Sequence, residues 1–274
     1  MKNELLHIFR NTPFGRETLM NSIYFCKQTR TILKVFIPEH LQFLMYFQNE
    51  IATVDLEKAF LKNRKTAREH AEAIITANGL NPNFLDPKQF TASTLMDIPV
   101  DFRFMTCPRS ISDLSTKISL GHIGPKVRSI IKNASFPVFI PSPVFKEWKS
   151  ITVFFGGSEN AVKTMKIGLQ ISRWSGFPMR IFTQLKKKSR AHYRDVLKEN
   201  DLLDEVESNG IEWTFFKKGK FRENLYEIPH DSLVLVGAYG HSAIKEVLFG
   251  SMMEEIQTVL PNHLVIVGPH ARLG

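Results

Sequence analysis

The sequence predicts an α/β protein made of two tandem parallel sheets, and three observations carry that expectation. Short apolar, β-branched runs such as 233–236 alternate with segments of helical periodicity. That alternation is the signature of βαβ units, which close a parallel sheet through right-handed crossovers. The order of segments in residues 1–143 is echoed in residues 144–274. A repeat of about 130 residues is too long for a solenoid and right for tandem domains. Finally, glycine turns follow the strand at 233–236 and frame the start of a later helix; Gly237 and Gly240 allow positive φ and let a ligand approach the backbone.

In the first half, Leu5 to Phe9 reads as a strand, Phe14 to Thr29 as a helix and Ile32 to Ile37 as the next strand. Leu56 to Asn78 predicts the longest helix, with Phe60, Ala67, Ala71 and Ile74 on one face and Gly79 as its stop. Phe102 to Thr106 reads as a fourth strand. Gly121 to Gly124 precedes a helix over Lys126 to Lys132, and Phe136 to Ile140 closes the half. Pro141-Ser-Pro143 is the natural linker between domains at 1–143 and 144–274.

The second half is clearer. Ile151 to Phe155 is a strand, and Ser158 can cap the following helix with Glu159 in its first turn. Val162, Met165 and Leu169 mark the buried face of that helix, and Gly176 ends it. Met179 to Thr183 is a strand, Arg190 to Asn200 a helix, Ile211 to Phe216 a strand and Glu223 to Glu227 a short helix. A buried strand at 233–236, a helix from Ser251 with Met252, Ile256, Val259 and Leu260 inward, and a strand at His263 to Val267 complete the chain.

Composition narrows the function. The chain has 274 residues, 43% hydrophobic and 23% charged, the balance of a soluble globular protein. No apolar run approaches a membrane span, and the N-terminus is a poor signal peptide. Two cysteines, Cys26 and Cys107, make no disulfide framework, so both are expected reduced in the cytoplasm. No Cys or His pair has metal-site spacing. The net charge of +9 gathers in Lys186-Lys-Lys-Ser-Arg190 and Lys217-Lys-Gly-Lys220. The first run has no interleaved aromatic and neither has a recognition motif, so both read as solvated surface rather than a specific nucleic-acid site.

The chemistry concentrates in Gly237-Ala-Tyr-Gly240, nine further residues, then Gly250-Ser251. The N–H groups at the start of the helix from Ser251 are free to hold an anion, and Ser251 adds a hydroxyl. Two readings stay open: a phosphate cradle, or ordinary βα turns in a fold that binds nothing. The segment resembles the universal stress protein family, whose nucleotide-binding members carry Gly, two residues, Gly, nine residues, Gly, then Ser or Thr. The resemblance implies the adenine-nucleotide alpha-hydrolase-like fold: doubly wound five-stranded sheets of order 3-2-1-4-5. It places Gly156-Gly157-Ser158 across one crevice from Gly237 and Gly240.

The resemblance also implies binding of ATP or another adenine nucleotide, with or without Mg, by a regulatory sensor. The adenine would lie against backbone near Thr183 and Gln184, and His241 could donate to a phosphate. The family's strand-end Asp is replaced by Gly156, and losing that partner costs about 1.5–3 kcal/mol, roughly ten- to hundredfold in affinity. In the first half, Thr106-Cys-Pro-Arg109 and Gly124-Pro125 break the motif, and Arg10-Asn-Thr-Pro13 also lacks the acid. That half is expected to keep the fold without the standard site, with Arg109 at the surface or, as the alternative, meeting a phosphate from another direction. No catalytic group is evident, so hydrolysis of ATP would be slow at most. The Gly156 loop is also similar to the Ser-Gly-Gly-x-Asp-Ser loop of ATP pyrophosphatases, without its leading Ser or its Asp-Ser ending. The alternative to a sensor with an unidentified protein partner is a scaffold of the same fold. The resemblance further implies that the two last strands pair, making an internal pseudo-dimer, with a homodimer as a further arrangement.

Overall fold

The computed structural model describes residues 2–48, 50–87, 95–109, 122–185, 188–216, 221–239 and 251–272. The first half contains β1 (Glu4–Ile8), α1 (Pro13–Thr29), β2 (Ile32–Phe36), β3 (Gln42–Tyr46), β4 (Ile51–Asp55), α2 (Ala67–Ala77), β5 (Met96–Ile98), β6 (Phe104–Thr106), α3 (Pro125–Asn133) and β7 (Val138–Ile140). The second contains β8 (Ser150–Phe154), α4 (Glu159–Ser175), β9 (Met179–Gln184), α5 (Arg190–Glu199), α6 (Leu203–Ser208), β10 (Glu212–Phe216), α7 (Phe221–Asn224), β11 (Ser232–Gly237), α8 (Ser251–Val259) and β12 (Leu264–Val267).

Instead of two five-stranded sheets, nine of the described strands form one sheet of order β10-β9-β8-β11-β12-β7-β6-β1-β2, and β3, β4 and β5 form a second. In the first, neighbours are parallel except at the middle, where β12 runs antiparallel to β7, with Val265 opposite Phe139. Each last strand would otherwise be an apolar edge with unpaired N–H and C=O groups, and pairing satisfies both. Counted within its own half, the second half runs 3-2-1-4-5 and the first 5-4-1-2. The place of a third strand in the first half is held by one bridge, Val35 to Phe84. Pro82 and Pro87 flank Phe84 and cannot donate to a ladder, so the pairing stops there.

Alternation along the strands builds one core on each face. Leu233, Leu235, Val153 and Val265 pack with α1, α4 and α5. Val234, Val236, Phe154 and Ile266 face α3 and α8. The first half adds a layer that the sequence reading missed. β3 and β4 form an antiparallel hairpin, β5 joins β3 in parallel, and Phe43, Met45, Val54 and Ile98 join the α3 side of the core.

The helix expected over Leu56 to Asn78 is shorter. 3-10 turns occupy Lys58–Leu61 and Arg64–Thr66, and only Ala67–Ala77 is α-helical. Asn63 between the two turns sits at φ 54°, a left-handed conformation that interrupts a helix. α1 and α4, of 17 residues each, are longer. Ser158 caps α4 through Ala161 N, and Gly176 ends it at φ 73°.

The Pro141–Pro143 stretch is bound, not loose. Asn21 Nδ2 donates to the Ser142 and Val144 carbonyls. His263 Nδ1 accepts from Ser142 N at 2.9 Å, and its Nε2 donates to the Lys146 carbonyl at 2.7 Å.

Candidate nucleotide site

β11 delivers Gly237 to the middle of the second half, beside the end of β8. A Cβ at Gly237 would lie 3.1 Å from both Asn160 O and Thr164 Oγ1. The physical demand on this glycine is therefore close approach of the strand to the first turn of α4. Gly237 does not take the positive φ open to a glycine, while Tyr239 does, at 61°. Asn160, buried at the start of α4, donates to the Ala238 carbonyl and, at 3.2 Å, to the Val267 carbonyl. Ala238 N donates to Val267 O at 2.9 Å. The loop thus leaves the sheet from a fixed point, and Tyr239 Oη donates to Arg128 O of α3 at 3.2 Å. Gly240, His241 and Gly250 lie outside the described residues, and Ser251 is the first residue of α8.

Just beyond the end of β8, Gly156, Gly157 and Ser158 do different things. A Cβ on Gly156 would meet nothing within 4 Å, so this position faces open space. Gly157 has φ 70°, and its Cβ would stand 3.2 Å from the Tyr193 ring and 3.8 Å from His192 Nε2. Ser158 Oγ accepts from Ala161 N at 3.2 Å, so its hydroxyl is used by the helix. Thr183 is buried, with its hydroxyl donating to Phe155 O at 2.9 Å and accepting from Trp213 Nε1 at 2.9 Å. Gln184 Oε1 accepts from Asn224 Nδ2 at 2.6 Å. These side chains brace β8, β9, β10 and α7.

At the corresponding strand end of the first half, side chains pair with one another. Arg10, one residue beyond Phe9 at the end of β1, pairs with Glu57 with both side chains largely buried. Its guanidinium lies 4.7 Å from the Phe14 ring centre and 5.3 Å from that of Phe60. Thr12 caps α1 through Gly15 N, as Ser158 caps α4. Gly124 is the N-cap of α3 without a side-chain cap, and Pro125 follows; Gly121 lies outside the described residues.

Arg109 is not at the surface as expected. It donates to Gln257 O at 2.5 Å and Leu260 O at 3.4 Å, and burial lowers its pKa to about 10. Gln257, itself fully buried, accepts from Ile123 N at 2.7 Å and meets His122 Nδ1 at 2.9 Å. No local pattern signals these contacts, which join residues more than a hundred positions apart.

Lys186, Lys187 and Lys217 to Lys220 lie outside the described residues. Among the described residues, no group of three or more His, Cys, Asp or Glu side chains could hold a metal ion, and no helix is long and apolar enough to cross a membrane.

No protein-family model and no curated protein matches the sequence. Solved structures do match the fold. A universal stress protein from Archaeoglobus fulgidus DSM 4304 superposes with TM-score 0.64 at 13% identity, covering 98% of this chain and 99% of that one. A putative universal stress protein from Pseudomonas aeruginosa UCBPP-PA14 gives TM-score 0.59 at 8% identity, over 98% and 94%. A functionally unknown protein from Pseudomonas aeruginosa PAO1 gives 0.59 at 8%, over 98% and 93%. With strands, helices and both halves accounted for over nearly its whole length, the chain has the fold of the universal stress proteins.

Proposed function

We propose that the chain is a tandem universal stress protein whose second half, residues 144–274, binds an adenine nucleotide, ATP foremost, and acts as a regulatory sensor. One observation carries the reading: the spacing Gly237, Gly240, Gly250-Ser251 is unbroken in the half whose strand-end position, Gly156, faces open space. The phosphates would meet the N-terminal amides of α8 and Ser251, where the helix dipole favours an anion. Thr183 and Gln184 would meet the base through backbone, because their side chains are engaged elsewhere. The first half, residues 1–143, would carry no site of this kind, since its glycine spacing is broken at Thr106-Cys-Pro-Arg109.

Calorimetric titration of ATP, ADP and AMP into the full chain tests this. Saturable binding that Gly240→Val weakens at least tenfold supports it. The absence of any heat at millimolar nucleotide removes it. The second reading, a scaffold of the same fold, is favoured by the glycine at the strand-end acid position, and would then stand.

A further inference from the structure

The two halves hold one another by exchanged grips. The loop after β11 sends Tyr239 to the Arg128 carbonyl of α3. The loop after β6 sends Arg109 to the Gln257 and Leu260 carbonyls at the far end of α8. A helix C-terminus leaves carbonyls unpaired and carries partial negative charge, and a guanidinium satisfies both needs. Gln257 adds a second grip, taking the Ile123 N–H on its oxygen and meeting His122 through its amide nitrogen. The last turn of α8 is therefore fixed by residues of the first half.

α8 has nine residues, so its two ends lie about 12 Å apart at 1.5 Å per residue. A helix this short moves as one body. A tilt allowed at Gln257 displaces the amides at Ser251, where the nucleotide reading puts the phosphates. We propose that Arg109 is a positioning residue for the phosphate end of the second-half site, so that the first half serves the site of the second. This rests on the nucleotide reading above.

The test compares the full-length native chain with Arg109→Met, Arg109→Lys and Gln257→Met, each titrated with ATP and with adenosine. Adenosine lacks the groups that α8 would hold. The expected result is a loss of about tenfold in ATP affinity for Arg109→Met, within the range of measured couplings between sites. Adenosine affinity should stay within about twofold of native, as expected for a coupling confined to the phosphate end. Arg109→Lys, which keeps the charge at the helix end, recovers part of the loss. ATP binding by Arg109→Met equal to native overturns the proposal and leaves the nucleotide reading intact. Equal losses for ATP and adenosine also overturn it, since they report general loosening. No binding by the native chain overturns both. If Arg109→Met does not fold, Gln257→Met is read with the same two ligands. In the native chain, saturating ATP should also slow hydrogen exchange at Ile123 N–H, and unchanged exchange there counts against the proposal.

Discussion

Phe139 lies opposite Val265 at the centre of the nine-stranded sheet, where two parallel half-sheets meet antiparallel. The pairing of Val138 with Ile266 and Ile140 with Leu264 on either side gives the junction a local two-fold relation. It makes both cores continuous across the chain, since Phe139 and Val265 share one while Ile140 and Leu264 share the other. The exchanged grips of Tyr239 and Arg109 obey the same relation, each reaching the last helix of the opposite half.

Gly237 and Gly156 separate by role. Gly237→Ala forces a Cβ to 3.1 Å from Asn160 O and Thr164 Oγ1. It should destabilise the chain by about 1–3 kcal/mol, the usual range for overpacking. Gly156→Ala meets open space and should stay within about 0.5 kcal/mol of native. Urea unfolding of the two variants without nucleotide checks the contrast, and equal midpoints would refute the packing role of Gly237.

Arg10 and Glu57 form an ion pair shielded by Phe14 and Phe60. Glu57→Gln leaves the guanidinium without its counter-charge, and breaking one side of a buried pair costs about 3 kcal/mol. The double variant Arg10→Met/Glu57→Leu removes both charges and should recover most of that loss. Thermal melts of the single and double variants check the order. A double variant less stable than Glu57→Gln would mean that the pair itself, rather than the orphaned charge, sets the cost.

His7 and His263 set the acid response. Burial lowers their pKa values to about 3 and about 4, so both are neutral in the fold, while the unfolded chain takes up protons near pH 6.5. His263 accepts the Ser142 N–H on Nδ1, and protonation there would set two donors against each other. Their contribution is complete above pH 6.5 and is lost as pH falls toward 4. The slope is at most about 1.4 kcal/mol per histidine per pH unit. Urea midpoints at pH 7.5, 6 and 5 should fall in that order, and a flat series contradicts the assignment.

Tyr239→Phe removes the hydrogen bond to Arg128 O and little else in shape. A loss of about 1 kcal/mol is expected. Hydrogen exchange should quicken at the α3 amides of the first half more than in β8. Exchange quickened equally in both would argue against the grip.

Much of the fold was legible in the sequence because its signals are local. The run at 233–236, the Ser158 cap and the Gly176 stop depend on neighbours a few residues away, and they appear where they were expected. The hairpin of β3 and β4 was missed: Gln42–Tyr46 and Ile51–Asp55 are short and lack a strong turn dipeptide. The helix over 56–78 was overextended, because an Asn at φ 54° leaves no mark in hydrophobic periodicity. Of the proposed site, the strand-end places of Gly237 and Gly156 follow from local strand signals, whereas the packing demand on Gly237 comes from α4 and left no local mark.

The sequence by itself determined the alternation of strands and helices, the repeat, and the unbroken glycine spacing in one half only. These follow from backbone sterics and from which faces must be buried. The tertiary structure decided what depends on residues distant in sequence. The edges of two half-sheets became one junction at Phe139 and Val265, Arg10 found Glu57, and Arg109 left the surface for the end of α8. In each case a strand edge, a buried charge or a helix end needed a partner, and only the folded chain brings that partner within hydrogen-bonding distance.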